Sequence, residues 1–233
     1  MTTPHALAER TFRLVARKLL PMFIIGQMLL QIDRSNISFA ALQMNHALGV
    51  TSEVFGLAAG IFFIGYALFE VPSNLILQRI ATPKWLGALL LCWGSLTLLQ
   101  AFSPNATVLV MLRFLLGVFE GGFIPGMLFV LTLWLPAAQR GRAVAITTLA
   151  VPVAAIIGGP FAGSLLQLRA AGLAGWQWLF LVEGAATAVF ALVWMRIIPR
   201  GPEQARWLPP ANRKALRSVR DFARKEWPFG QFA

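Results

Sequence analysis

The sequence predicts an all-α membrane protein of six transmembrane helices, and three observations predict it. The first is composition. Of 233 residues, 58% are hydrophobic and 12% charged, whereas a soluble domain carries about 25% charged residues, so this chain lacks the polar surface to cover itself in water. The second is spacing, because apolar stretches of about 20 residues, the length a helix needs to cross a hydrocarbon core of roughly 30 Å, recur along the chain. The third is charge. Twenty Lys and Arg against nine Asp and Glu give a net charge of +11, and the basic residues gather in alternate connections, as in a chain oriented by retention of positive loops in the cytoplasm. The same numbers exclude a nucleic-acid-binding domain, which needs a water-soluble body beneath its basic face, and a disordered chain, which needs low hydrophobicity.

Residues 1–18 form a cytoplasmic N-terminal segment with Arg10, Arg13, Arg17 and Lys18, and residues 19–198 a six-helix transmembrane bundle. The first span, 19–42, contains Asp33 and Arg34; the second, 54–77, contains Glu70 just before Val71 and Pro72. The third is 85–102, bounded by Pro83 and by Ser103, Pro104 and Asn105. The fourth, 107–135, carries Arg113 and Glu120 and stops at Pro136. The fifth is 143–168 and the sixth 176–198, separated by a Gly172 to Gly175 stretch where helix cannot continue. Arg79 and Lys84 between spans two and three, Arg140 and Arg142 between four and five, and the basic residues beyond Ile197 place both termini in the cytoplasm, with Arg169 alone on the other side.

Residues 199–233 form a basic cytoplasmic tail or linker. Arg213, Arg217, Arg220 and Arg224 recur at helical spacing and would give one basic face, whose expected surroundings are water or anionic lipid headgroups.

Cys92 is the single cysteine, and the two histidines, His5 and His46, flank the apolar runs. Internal disulfides, metal clusters and cofactors are therefore not expected, and an enzymatic role is not predicted.

Ionisable residues inside the spans need a reason, since each costs about 2.5–3.5 kcal/mol at a helix centre even on a lenient insertion scale. Arg113 and Glu120 are seven residues apart, which puts them within about 20° on one helical face with Gly117 between them. Asp33 and Arg34 lie roughly 22 Å along the helix from Lys18 at 1.5 Å per residue, too deep to snorkel. Two arginines and two carboxylates sum to zero. That suits either internal ion pairs locking helices together, or a site whose arginines accept an anion when protons neutralise the carboxylates. Glu70 is expected to hydrogen-bond backbone freed by Pro72, and Glu183 to sit near the outer end of the sixth span, facing water or serving function. Gly121 and Gly122, and Gly158, Gly159 and Gly163, are expected to allow close helix packing. Pro125, Pro152 and Pro160 are expected to bend or open their helices.

Asp33-Arg34-Ser35-Asn36-Ile37-Ser38, Phe62-Phe63-Ile64-Gly65-Tyr66, Phe69-Glu70-Val71-Pro72-Ser73-Asn74, Leu112-Arg113-Phe114-Leu115-Leu116-Gly117 with Glu120, Ile157-Gly158-Gly159-Pro160 and Gly175-Trp176-Gln177-Trp178 resemble the anion:cation symporter branch of the major facilitator superfamily, the branch of phthalate, tartrate and hexuronate permeases. The resemblance covers about residues 17–210. It implies proton-coupled symport of small organic anions, carboxylates such as sugar acids or aromatic acids, by alternating access across a bacterial inner membrane. It makes Asp33 and Glu120 the proton-coupling residues and Arg34 a contact of the substrate carboxylate. It pairs Arg113 with the aspartate and places Arg113 and Asn36 at the substrate site. Two departures stand out: Gln78 replaces the aspartate of the usual second-to-third loop motif, and Gln31 and Ile32 occupy a stretch that often holds a tyrosine.

The family has twelve helices in two halves, and this chain matches the N-terminal six-helix half with its three-plus-three inverted repeat. The expected partners are the lipid bilayer, a small organic anion and a proton, with no nucleic acid. Three readings stand for a lone half: a truncated membrane subunit that does not transport and has a structural or regulatory role, a half that pairs with a second half-transporter, or a homodimer.

Overall fold

The structure, a computed structural model, describes residues 4–79, 82–135, 137–199, 204–205 and 207–210. Within them the chain forms eight α-helices and no strand: α1 Pro4–Leu48, α2 Ser52–Arg79, α3 Thr82–Gln100, α4 Ala106–Glu120, α5 Phe123–Trp134, α6 Ala137–Thr148, α7 Ala150–Leu166 and α8 Gly175–Ile197. The expected basic helix at Arg213 to Arg224 lies outside the described residues.

These eight helices realise the six expected spans, because the fourth and fifth are each broken in two. The breaks share a cause. Pro125 and Pro152 are the third residues of α5 and α7; neither ring nitrogen can donate to the carbonyl four residues back, so the helix restarts at a proline in its first turn. Around the first break, Gly121 and Gly122 weaken helix further. Pro21, Pro72 and Pro160 instead lie inside continuous helices, so Pro160 does not interrupt α7 as Pro152 interrupts its span. The first span also extends backward, with α1 helical from Pro4 through the basic stretch expected to precede it.

Five stretches are long and apolar enough to cross a membrane: Phe12–Leu48, Ser52–Leu77, Ala106–Trp134, Ala138–Leu166 and Gly175–Ile197. The third expected span, α3, is helical over 19 residues but less apolar. It is diluted by Lys84 and Gln100 near its ends and by Gly94, Ser95 and Thr97 inside it. The difference follows from position. α3 is packed closely against α8, where a Cβ on Gly94 would lie 2.7 Å from the Ala188 nitrogen and one on Gly184 2.6 Å from the Leu98 nitrogen. A helix surrounded by protein has less need of lipid-soluble side chains.

The turns are tight. Gly49, at φ +62°, ends α1 while Val50 N donates to Asn45 O at 2.9 Å, the glycine-terminated helix end that L-residues resist. Asn105 opens α4, its side-chain oxygen accepting from Val108 N at 3.0 Å. Between α7 and α8, Ala171 and Gly172 both have positive φ, 53° and 73°, in a turn closed by Leu173 N to Ala170 O at 3.0 Å.

Two apolar clusters fill the bundle. One joins the first half of α1 to α3, α5 and α8 around Phe23, Trp93, Phe123 and Trp194, with ring centroids 5.4 Å apart for Phe23 and Trp194 and 6.0 Å for Trp93 and Phe123. The other gathers Ile37, Ala40, Met44, Ala58, Leu109, Trp176, Leu179 and Phe180. On α1, α3 and α8 the chain passes from one cluster to the other through a few polar positions: 33–36, 97–100 and 183–187. Arg113 lies between the clusters on α4 in the same way, between Leu109 and Leu116.

Candidate functional site

This polar layer brings together all five residues singled out from the sequence. Asp33, Asn36, Arg113 and Glu120 are buried, and Arg34 has 25% of its side chain exposed. Successive helical residues point about 100° apart, so Asp33 and Arg34 serve different neighbours. Asp33 turns toward α3 and α8, Arg34 toward α2 and α4.

Arg34 Nε donates to Glu120 Oε1 in a charge-assisted ion pair. Its guanidinium carbon lies 4.8 Å from the ring centroid of Tyr66 and 5.9 Å from that of Phe62. Arg113 stacks over Phe62 as well, at 4.8 Å. Phe62 and Tyr66 are one helical turn apart on α2 and form an aromatic floor beneath both cations. α2 and α4 approach closely enough to place them, because a Cβ on Gly117 or Gly121 would collide with the Phe62 or Tyr66 carbonyl.

The pairing differs from the one the resemblance implies. Among the described residues Arg113 has no ion pair within 4.0 Å, and Glu120 takes Arg34 rather than leaving it free. Asp33 is instead held by neutral donors: Thr97 Oγ1 donates to its Oδ1 at 2.8 Å and Asn36 Nδ2 to the same oxygen at 3.2 Å. Arg113 still acts on both Asp33 and Glu120 through space. Its Nε and Nη1, and Nη2 of Arg34, are buried donors without a hydrogen-bond partner.

Glu183 belongs to this layer, contrary to the expectation of a position near the outer end. It lies eight residues into α8, about 12 Å along the axis, and is buried. Asn36 Nδ2 donates to its Oε2 at 2.9 Å. One amide nitrogen thus joins two carboxylates, which commits both amide hydrogens of Asn36. Thr97, Tyr66 and Phe62 carry no role in the sequence reading, and Glu183 is left there between facing water and serving function. The signal for the aromatic pair was there in the four-residue spacing of Phe62 and Tyr66, and for Glu183 in its distance from either end of an apolar run.

Other expectations divide. Gly121 and Gly122 do pack closely, the second against Ser73 and Leu89, whereas Cβ atoms on Gly159 and Gly163 would meet open space and one on Gly158 only Ile32 at 3.7 Å. Glu70 is half-buried, and among the described residues no hydrogen bond joins it to the backbone freed by Pro72. Arg142 pairs with Glu9 at 3.8 Å and lies 5.0 Å from the centroid of the Phe12 ring, tying α6 to the start of α1. Among the described residues, no cluster of His, Cys, Asp and Glu is suited to a metal ion.

A bundle of apolar spans with Asp33, Arg34, Arg113, Glu120 and Glu183 gathered in a central layer defines a multi-pass membrane protein with a polar core. The chain belongs to the Major Facilitator Superfamily, whose family model matches residues 23–232. It is 41% identical over 211 residues to a putative tartrate transporter of Agrobacterium vitis, covering 90% of this chain and 47% of that protein. It is also 39% identical over 201 residues to the putative metabolite transport protein NicT of Pseudomonas putida, covering 85% and 46%. The chain thus spans about half the length of the curated relatives it matches, the N-terminal half, as the sequence predicts. Among solved structures, a bacterial homologue of the human lysosomal transporter Spinster, inward-facing and occupied, superposes with a TM-score of 0.72 at 20% identity over 78% of this chain and 44% of that one. The inward-open xylose transporter XylE from E. coli gives 0.70 at 15% identity over 87% and 55%. These two share the fold. The family and the named relatives are transporters rather than enzymes.

Proposed function

We propose that the chain is the N-terminal half of a proton-coupled symporter of small organic anions, working by alternating access once a second six-helix half closes the pathway. The observation that carries this reading is the pair of arginines deep in an apolar bundle, each with buried N–H donors to spare. A planar guanidinium fork is suited to a carboxylate, and an arginine whose donors are unpaired in low dielectric has every reason to take one. The tartrate transporter of Agrobacterium vitis, a relative at 41% identity, is named for a dicarboxylate.

Coupling follows from the Arg34 and Glu120 pair. While Glu120 is ionised, it holds Arg34 and opposes an incoming anion. A proton on Glu120 neutralises it, Arg34 is released, and the substrate carboxylate replaces the lost partner. Loss of the proton on the other side restores the ion pair and expels the anion. Asp33 and Glu120 are the proton-coupling residues in this reading, and Arg34 and Arg113 bind the substrate. Asn36 reaches an anion only after releasing one of its two carboxylates. The carrier resides in the bacterial inner membrane with both termini cytoplasmic, residues 1–18 and 199–233 flanking the bundle.

The test is uptake of tartrate and related carboxylates into vesicles bearing this chain with a complementary six-helix half. Uptake is expected to rise with an inward proton gradient, and Glu120→Gln to abolish that dependence while substrate exchange at zero gradient continues. Unchanged gradient-driven uptake by the Glu120→Gln protein would remove Glu120 from the coupling role. If the chain assembled with a complementary six-helix half binds no organic anion by calorimetry, the reading as a membrane subunit without transport takes its place.

A further inference from the structure

The central layer holds three carboxylates, Asp33, Glu120 and Glu183, and two guanidiniums, Arg34 and Arg113. With every group ionised the layer carries one negative charge in excess, between two apolar clusters. The excess has a location. Glu120 has Arg34 as its ion-pair partner, whereas Asp33 and Glu183 share a single amide nitrogen and, among the described residues, have nothing cationic within ion-pair distance.

Hydrogen-bond supply points to the same place. Both donors that reach Asp33 go to Oδ1, and the one that reaches Glu183 goes to Oε2. Asp33 Oδ2, Glu183 Oε1 and Asn36 Oδ1 are buried acceptors without a partner. The unpartnered donors that act on Asp33, Trp93 Nε1 and the Arg113 guanidinium, make no hydrogen bond to these oxygens at normal distance, and a carboxylic acid O–H is the donor a carboxylate becomes on binding a proton. Two carboxylates close together in low dielectric do not both ionise.

We infer that Asp33, Asn36 and Glu183 form a second proton-holding site, in which the two carboxyl groups retain one proton between them while Glu120 remains ionised against Arg34. Titration belongs to the pair rather than to either residue. The groups facing it are few. α1 contributes Asp33 and Arg34; α3 contributes the Thr97 hydroxyl and the Trp93 indole N–H, its titratable residues Lys84 and Cys92 lying elsewhere along it; α4 contributes Arg113 and Glu120. Among its residues α7 has none that titrates. Arg113, acting on both Asp33 and Glu120, lies electrostatically between the two sites. Glu183 is thereby assigned as a proton-carrying residue alongside the carboxylates the resemblance implies. The inference rests on the proposed symport for the proton's purpose, but its presence can be read without transport.

The experiment is infrared difference spectroscopy of the purified chain in lipid nanodiscs at neutral pH, following the carbonyl stretch of protonated carboxylic acid. The wild-type protein is expected to show such a band, shifted in deuterated water. Glu183→Gln and Asp33→Asn are each expected to lose it, since two acids against two arginines need no proton. Thr97→Val, which strips a donor from Asp33 but leaves both carboxyls, is expected to move the band without removing it. No wild-type band overturns the inference, even if no variant folds. A band that survives both amide variants but vanishes in Glu120→Gln assigns the proton to Glu120 and also overturns it. Disappearance of the wild-type band when sodium replaces choline would mean that a metal cation is what the pair holds. Retention of the band in a protein that carries no anion would leave this inference standing and remove the transport reading alone.

Discussion

At Arg34 one guanidinium meets a carboxylate on one side and an aromatic floor on the other. Lysine would keep the charge and lose both the planar fork and the ring stacking. Under the proposed anion symport, Arg34→Lys is therefore expected to weaken binding of the carboxylate substrate, measured by calorimetry on the assembled carrier, by about tenfold or more, equivalent to about 1.4 kcal/mol. Thr97 has a different task, since its hydroxyl donates to Asp33. Its loss in Thr97→Val is expected to cost about 1.5–3 kcal/mol, the usual range for a hydrogen bond to a charged group or somewhat less if Asp33 holds the proton, in denaturant unfolding of the detergent-solubilised protein, with Thr97→Ser close to wild type. Which residues matter was legible at this scale because charge in an apolar run is conspicuous. Partner choice was not. Whether Glu120 takes Arg34 or leaves it free depends on the 100° turn between Asp33 and Arg34 and on helices 86 residues apart in sequence. Glu183 was underrated because its neighbours Asn36 and Asp33 lie on another helix, and nothing local to α8 announces them.

Among the elements, glycine in a helix has opposite meanings depending on what it faces. At Gly117 an added methyl group collides with the Phe62 carbonyl, an atom of another helix's backbone that cannot rotate away. Gly117→Ala is expected to destabilise the bundle by about 1–3 kcal/mol, as overpacking does, and to displace the aromatic floor under Arg113. At Gly163 the added methyl meets nothing. There Gly163→Ala is expected to be neutral or to stabilise by up to about 1 kcal/mol through helix propensity; paired thermal unfolding curves of the two variants check the contrast. Both glycines looked alike in the sequence, because a small residue reports permission for close approach and not the approach itself. Helix positions were legible from apolar length, and the proline signal at Pro125 and Pro152 was present, but only the first-turn placement of those rings tells a break from the continuous helix at Pro160. The Ala171 and Gly172 turn offers a further check. Ala171→Gly removes the left-handed penalty of about 1–2 kcal/mol, partly offset by glycine's greater unfolded freedom, so a small rise in melting temperature is expected.

For the whole molecule, burial is uneven. In the most apolar windows of the spans, 17% of Ser52–Leu77 and 22% of Ala138–Leu166 is buried, against 56% of Ala106–Trp134. α2 and α7 therefore present the largest uncovered apolar faces, including Leu68, Val71 and Ile156. In a family built of two six-helix halves, a partner half is expected on them. With Cys92→Ser as background, single cysteines at Leu68 and Ile156 are expected to cross-link to a co-expressed second half, whereas a cysteine at Leu192 on α8 is not; equal cross-linking at all three would argue for random collision in the bilayer.

The separation of the charged layer from the two apolar clusters has an evolutionary consequence. Stability is held by Phe23, Trp93, Phe123 and Trp194 on one side and by Ile37, Leu109 and Phe180 on the other. The residues proposed to bind anion and proton are a few side chains between them. A lineage can exchange those few residues, acquiring a new cargo, without relearning how to fold. One scaffold can thus diversify by changing its contents, and relatives with different named cargoes can retain a common frame.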